Sequence, residues 1–440
     1  MGIYQSPQAL LAVADRWYSF FKKIGYLGSL NDMKQKWVNR TSYGASLDLI
    51  FTAGDYLDPR ITFTRSTTAT YTDSTGAIAT AAINSPRFTY DPVTLAPQGL
   101  LIEEQRTNLL LYSEQFDNAA WSKSASTITA NAIISPDGTL DADKLVEDTS
   151  TGSHYVQAWP TVVSGTAYAF SIYAKAGERN LVSMLMAQST SPFTNHALVE
   201  FNLSTGTIRT TTFGSGTITS VGNGWYRCTV FGTTSSTNEI CRISYATAGN
   251  GTSGIYIWGA QLEAGAFATS YIPTVASQVT RTADGAIMTG TNFSSWYNQS
   301  AGSFFASATG KIGVGGSAVV LAVASNASAG FNLSPQLEFL SAPSLRSAYT
   351  DASGSLLAQP TTSIAALGVN YKVATSMNAS GASQVVNGGT AATASIASIP
   401  TPTLLSIGSV TTAQFLNGTI SQITYYPRRL SNSQLQGLTA

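Results

Sequence analysis

Hydrophobic positions recur with two different periods along this chain. Between Ser6 and Gly25 the apolar residues Leu10, Ala14, Trp17, Phe21 and Ile24 return every three or four positions, the spacing of one helix face. Ser6 followed by Pro7 reads as an N-cap with proline at the first helical position. Lys22 and Lys23 suit the negative end of the helix dipole, and Gly25 suits the stop. A second, shorter helix is expected from Asn31 or Asp32 to Val38. The stripe Trp17, Phe21, Met33 and Trp37 then needs a partner, because a piece of about forty residues cannot bury that many aromatics alone. These four are candidate anchoring residues toward another protein or another copy; docking on the chain's own β domain is the alternative.

From about Leu47 the period changes to two. Ile61, Phe63 and Tyr71 are separated by Thr and Ser, and turn signals such as Asp73-Ser-Thr-Gly76 and Asp91-Pro92 break the runs. Strands are expected at 128–134, 142–147, 154–163, 167–175, 181–187, 197–203, 225–232, 239–246 and 254–262. That many short strands with turns between them fit a sandwich or jelly roll. The fold class is therefore mainly β, with a helical N-terminal segment (1–45), a β arm (46–104), a first sandwich (105–275), a linker (276–291) and a second sandwich (292–440). The stretch from Thr205 to Gly224 reads as Ser/Thr/Gly turns. Near the end, Ile420, Ile423 and Tyr425 mark a strand after an Asn417-Gly418 turn, and a short helical turn is expected from Ser431 to Leu438.

The continuous stretch from Arg60 to Trp121, and again GIYIWGAQLEAGAFATSYIPT from Gly254 to Thr274, resembles segments of tail and fibre proteins of tailed bacteriophages. Thr107 to about Pro273 also resembles jelly-roll carbohydrate-binding modules, with Asn108 to Phe116 as the opening and Tyr256 to Glu263 as the last strand. Residues from Phe293 to Leu430 resemble the laminin-G/concanavalin-like lectin fold. These resemblances imply a virion structural protein of the tail, fibre or head-decoration kind, assembled in the host cytoplasm. It would attach to other virion proteins through its N-terminus, form a homotrimer, and present sandwiches for adhesion to host-surface glycans. They also imply a structural calcium where the two ends of the jelly roll meet, with Glu114 and Glu263 as candidate ligands. Ordinary hydrogen-bonded carboxylates are the other reading of that pair. A spacer without ligand, or a virion enzyme that degrades polysaccharide, stays open as an alternative function.

Composition narrows the partners. Only 10% of residues are charged, against about 25% in an average soluble protein. Lys and Arg balance Asp and Glu at 23 each, and no basic stripe interleaved with aromatics is present, which argues against nucleic acid. The longest clear aliphatic run, Ala318 to Ala324, is far below the roughly 20 residues of a membrane-crossing helix, so no membrane insertion is expected. Asp15 and Arg16 interrupt the first apolar pattern where a signal peptide needs an unbroken core, so no signal peptide is expected either. Cys228 and Cys241 fall on the apolar sides of two expected strands and read as free buried thiols.

Candidate chemistry is sparse. The two histidines, His154 and His196, sit in no HExxH, and neither a G-x-S-x-G elbow nor a Walker loop occurs, so the chain is not expected to be an enzyme. Asp141, Asp143, Glu147 and Asp148 are close together and read as a solvated face. For glycan recognition, exposed rings stack on sugars while amides and carboxylates supply hydrogen bonds. If His154, Val156 and Ala158 face one way, Tyr155, Gln157 and Trp159 line the other, a ring-amide-ring row. Those three are the glycan-binding candidates, with core packing or a subunit contact as the alternative role. Trp225, Trp258 and Trp296 read as packing residues.

Overall fold

The computed structural model describes residues 43–189, 194–313, 316–324, 333–350, 356–396, 401–410 and 414–440. The helical segment read from the first forty-odd positions, with Trp17, Phe21, Met33 and Trp37, lies outside the described residues. The described chain is mainly β: four large antiparallel sheets stacked as two sandwiches.

The first sandwich pairs two six-stranded sheets. One runs Ser215–Ser220, Trp225–Thr233, Ala167–Ala176, Gly254–Ala264, Leu140–Glu147, Ser126–Ile134. The other runs Thr207–Phe213, Asn195–Asn202, Leu181–Gln188, Glu239–Ala248, Thr151–Ala158, Ser122–Ser124. Alternation sends Phe170, Ile172, Val230 and Ile257 from one sheet, and Val156, Met184, Phe201 and Ile243 from the other, into a shared core. Cys228 and Cys241 are buried in it as free thiols, and burial raises both thiol pKa values.

The stretch from Thr205 to Gly224, expected as turns, instead carries two strands, Thr207–Phe213 and Ser215–Ser220. They are exposed edge strands with no apolar alternation, and each belongs to a different sheet. The chain changes sheet at Gly214, whose φ of +65° puts it in the left-handed region. A Cβ there would overlap the Phe231 carbonyl oxygen, so only glycine turns this corner.

In the second sandwich, one sheet runs Ala392–Ala394, Gly381–Val386, Tyr371–Asn378, Ala301–Thr309, Gly418–Tyr426, Pro97–Ile102, Phe88–Tyr90. Leu47–Ile50 also pairs with Gly418–Tyr426. The facing sheet runs Thr62–Thr64, Gly285–Thr289, Leu404–Ile407, Ser317–Ala324, Leu333–Leu340, Ser344–Thr350, Leu356–Ala358, with Thr361–Ser363 beside Ser344–Thr350. A capping box formed by Ser431 and Gln434 starts the closing helix Asn432–Thr439.

Residues 46–104, expected as an arm, supply four strands to these sheets. Leu47, Leu49, Phe63, Phe88, Leu100 and Ile102 carry too much apolar surface to stand alone, and they close the same core as Phe304, Leu337 and Ile423. The expected linker 276–291 likewise holds two strands, Val279–Arg281 and Gly285–Thr289. The first sandwich is thus inserted into the second. It leaves along Arg106–Asn108 and returns along Val279–Arg281, which pair antiparallel as a two-stranded neck.

An ionic cluster seals this neck. The Glu103 carboxylate accepts from Arg87 at 2.7 Å, Arg281 at 2.5 Å, and the Ser270 N–H and hydroxyl at 2.7 and 2.6 Å. Asp284 accepts from Arg65 at 3.1 Å, Arg87 at 2.5 Å and the Glu103 N–H at 2.9 Å. All five side chains are buried, which is tolerable only because each charge is opposed and hydrogen-bonded.

Candidate functional site

Strand Thr151–Ala158 is buried on one side by His154, Val156 and Ala158, which leaves Tyr155 and Gln157 on the outer face of the sheet. Register sets their neighbours. Gln157 lies between Ser122 and Arg242, and Tyr155 between Ser124 and Ser244. The row through Gln157 and Arg242 continues to Leu185, Leu198 and Phe213. Trp159, just past the strand end, is 49% exposed.

Arg242 organises this face. Its guanidinium carbon sits 4.1 Å from the centroid of the Tyr155 ring, and its Nε donates to Gln157 Oε1 at 2.7 Å. Cation–π stacking of this kind is worth about 0.5–2 kcal/mol. Among the described residues the Nε–Gln157 bond and the Tyr155 ring are the contacts of this guanidinium, and neither Nη group is given an acceptor. The side chain is therefore fixed at its stem and ring face while the donor fork stays open. A planar guanidinium fixed in this way is preorganised to donate to two oxygens at once.

Arg242 escaped the sequence reading. Its strand was read for the inward positions Cys241, Ile243 and Tyr245, and the residue between the first two faces outward. Tyr155 and Gln157 share the outer face, with Gln157 itself buried, and the group that joins them comes from the neighbouring strand.

The other candidates are placed as follows. Glu263 accepts from Gln261 Nε2 at 2.6 Å and from the Thr269 N–H and hydroxyl at 2.8 and 2.7 Å, so both oxygens face donors. Glu114 accepts from the Tyr271 hydroxyl at 2.8 Å, and burial raises its pKa. No group of three metal-ligating residues occurs among the described residues. Both Glu263 oxygens are committed to donors, as in the hydrogen-bonded reading of that residue, while Glu114 has a donor on Oε1.

The acidic group read as solvated divides. Asp143 is buried and accepts from the Phe116 and Asn131 N–H groups at 2.9 and 3.0 Å, with its pKa pushed up to about 6 by desolvation. Glu147, also buried, takes Arg179 at 2.6 Å and the Asn250 N–H at 2.9 Å. These carboxylates hold strands and loops in place. Trp225, Trp258 and Trp296 are buried, as packing residues should be.

One arrangement has the connectivity of a hydrolase triad. His196 Nδ1 lies 2.7 Å from Glu239 Oε1, and its Nε2 lies 2.7 Å from the Ser235 hydroxyl. The Ser235 backbone N–H also donates to Nε2, at 3.2 Å, so it is not directed at an oxyanion site. The trio pins the loop after Trp225–Thr233.

No family model matches the chain, and no curated protein matches it. Among solved structures it is similar to the Ruminococcus gnavus IT-sialidase CBM40 bound to α2,6 sialyllactose, at 16% identity and TM-score 0.27 over 32% of this chain and 85% of that one. It is also similar to Trypanosoma rangeli sialidase in complex with the inhibitor DANA, at 11% identity and TM-score 0.28 over 71% of each chain. No residue role is carried across at that level. The expectation of a non-enzyme does not stand: the lack of familiar motifs does not exclude catalysis. None of the neighbours named here is a virion protein.

Proposed function

We propose that this chain is a glycan-binding adhesion protein, and that the outer face of the inserted sandwich is its binding surface. The observation that carries the reading is Arg242, held by Tyr155 and Gln157 with its donor fork open, on the strand pair that ends at the exposed Trp159. Trp159 would supply the stacking surface, Tyr155 and Gln157 fix the guanidinium, and the Nη groups would bind sugar oxygens. A sheet face that is rigid before the ligand arrives loses little entropy on binding.

The setting proposed for this activity is a virion of a tailed bacteriophage, supported by the resemblance of Arg60 to Trp121 and Gly254 to Thr274 to tail and fibre proteins. The N-terminal segment with Trp17, Phe21, Met33 and Trp37 would attach to other virion proteins. Three copies would present three binding faces, and the apolar row Leu185, Leu198 and Phe213 on the same sheet offers surface for such packing.

A glycan-array screen of the full chain beside Trp159→Ala tests the reading. Binding by the parent that is lost in the variant supports it. Binding unchanged by the substitution removes the surface from consideration. Turnover of an arrayed glycan would instead favour an enzyme.

A further inference from the structure

Where the two sandwiches meet, a cleft of about 750 Å³ opens beside the neck, within the range of small-ligand sites. Three parts of the chain line it. Tyr71 comes from strand Ala69–Thr72, which forms a two-stranded sheet with Ile78–Ala81, Gln98 from Pro97–Ile102 of the outer sandwich, Tyr173 and Arg227 from the inserted sandwich, and Lys311 and Asn370 from the C-terminal part. Phe267 presents its ring at the same place, with the Arg106 guanidinium 5.0 Å from its centroid and the Lys311 ammonium 5.6 Å from it.

The charges in this cleft do not balance locally. Glu103, the carboxylate in its lining, is committed to Arg87, Arg281 and Ser270. Arg227 donates to the Thr269 carbonyl at 2.6 Å and the Ser171 hydroxyl at 3.0 Å, both neutral, and its Nε is buried without an acceptor. The Lys311 ammonium has no hydrogen-bond or carboxylate partner among the described residues, and its backbone is fixed by a bond from its N–H to the Leu416 carbonyl at 3.0 Å. Repulsion from Arg227 adds to desolvation in lowering the Lys311 pKa. Lys311 remains accessible from the cleft even though protein surrounds it, since the opening is wide enough to admit solvent.

We propose that this cleft is a second binding site, for an anionic saccharide whose acid group is held by Lys311 with Arg227 behind it. The remaining lining favours a polyol over a bare anion. Gln98, Asn370, Thr309 and Thr419 offer amides and hydroxyls for sugar hydroxyls, and Phe267 offers an apolar face. Because both sandwiches contribute, an occupant also fastens the insertion to its host. The site is separate from the outer-face surface and does not rest on it.

The test is calorimetric titration of the full chain with three oligosaccharides of matched length: uronate-bearing, sulfated and neutral. The same titrations are run on Lys311→Met and on Trp159→Ala. Expected is binding of at least one charged sugar, weakened tenfold or more in Lys311→Met and unchanged in Trp159→Ala, with the melting temperature of unliganded Lys311→Met equal to the parent's. Uronate alone binding identifies a carboxylate ligand, sulfated sugar alone a sulfate, and both a site that selects on charge. Equal binding of the neutral sugar, affinity unaffected by Lys311→Met, or no binding of any sugar at millimolar concentration overturns the proposal. Loss of binding in Trp159→Ala alone would assign the signal to the outer face.

Discussion

Arg281 donates to Glu103 at 2.5 Å across 178 positions of chain, and that contact joins the strand leaving the outer sandwich to the strand returning to it. Glu103 answers two buried arginines at once. Replacing it with Gln leaves Arg87 and Arg281 underneutralised in a dry site, where breaking a buried pair costs about 3–5 kcal/mol. Urea denaturation of Glu103→Gln should show a loss of that order and two resolved transitions where the parent shows a more cooperative one.

The same residue sets a response to acid. Desolvation alone would raise its pKa, but Arg281, Arg87 and Ser270 hold the carboxyl far below the ordinary glutamate value of 4.5. The folded state therefore binds fewer protons than the unfolded chain. The stabilisation is complete above pH 4.5 and is lost as pH falls further. Melting temperature followed downward from pH 5 should drop more steeply for the parent than for Glu103→Gln.

Asp143 acts in the opposite sense. Its folded pKa of about 6 lies above the ordinary 3.8, so the folded state retains a proton that the unfolded chain has released. Stability should fall as pH rises from about 4 to about 6 and then level off, a difference of about 3 kcal/mol. Denaturant midpoints across that interval measure it, and a flat profile there would place the Asp143 carboxyl in a more polar setting than its two backbone donors imply.

Gly214 should tolerate no side chain. Alanine there combines a left-handed backbone with a Cβ against the Phe231 carbonyl, and a loss of at least about 2 kcal/mol is expected. Thermal melts check this directly.

Legibility in the sequence followed burial. Segments such as Ala167–Ala176 and Trp225–Thr233 alternate because one face meets a core, and their positions were readable from residues alone. Thr207–Phe213 and Ser215–Ser220 are edge strands rich in Thr and Ser; the first is exposed throughout, and the second sends only Ile218 against the core, too few apolar residues to mark a period. The neck cluster was invisible for another reason: Arg65, Arg87, Glu103, Arg281 and Asp284 are scattered over the chain and meet only through the insertion. Tyr155 and Gln157 could be placed on a common face by counting along one strand. Arg242 required the register between two strands, which composition and spacing do not reveal.

The central claim is that the face built on Arg242 binds sugar. Affinity for an array-selected glycan, measured by titration on the full chain and on Arg242→Gln and Trp159→Ala, tests it most directly. Each substitution should weaken binding about tenfold or more, about 1.4 kcal/mol, while leaving the melting temperature within a degree or so of the parent. Affinity equal to the parent's in both variants would contradict it.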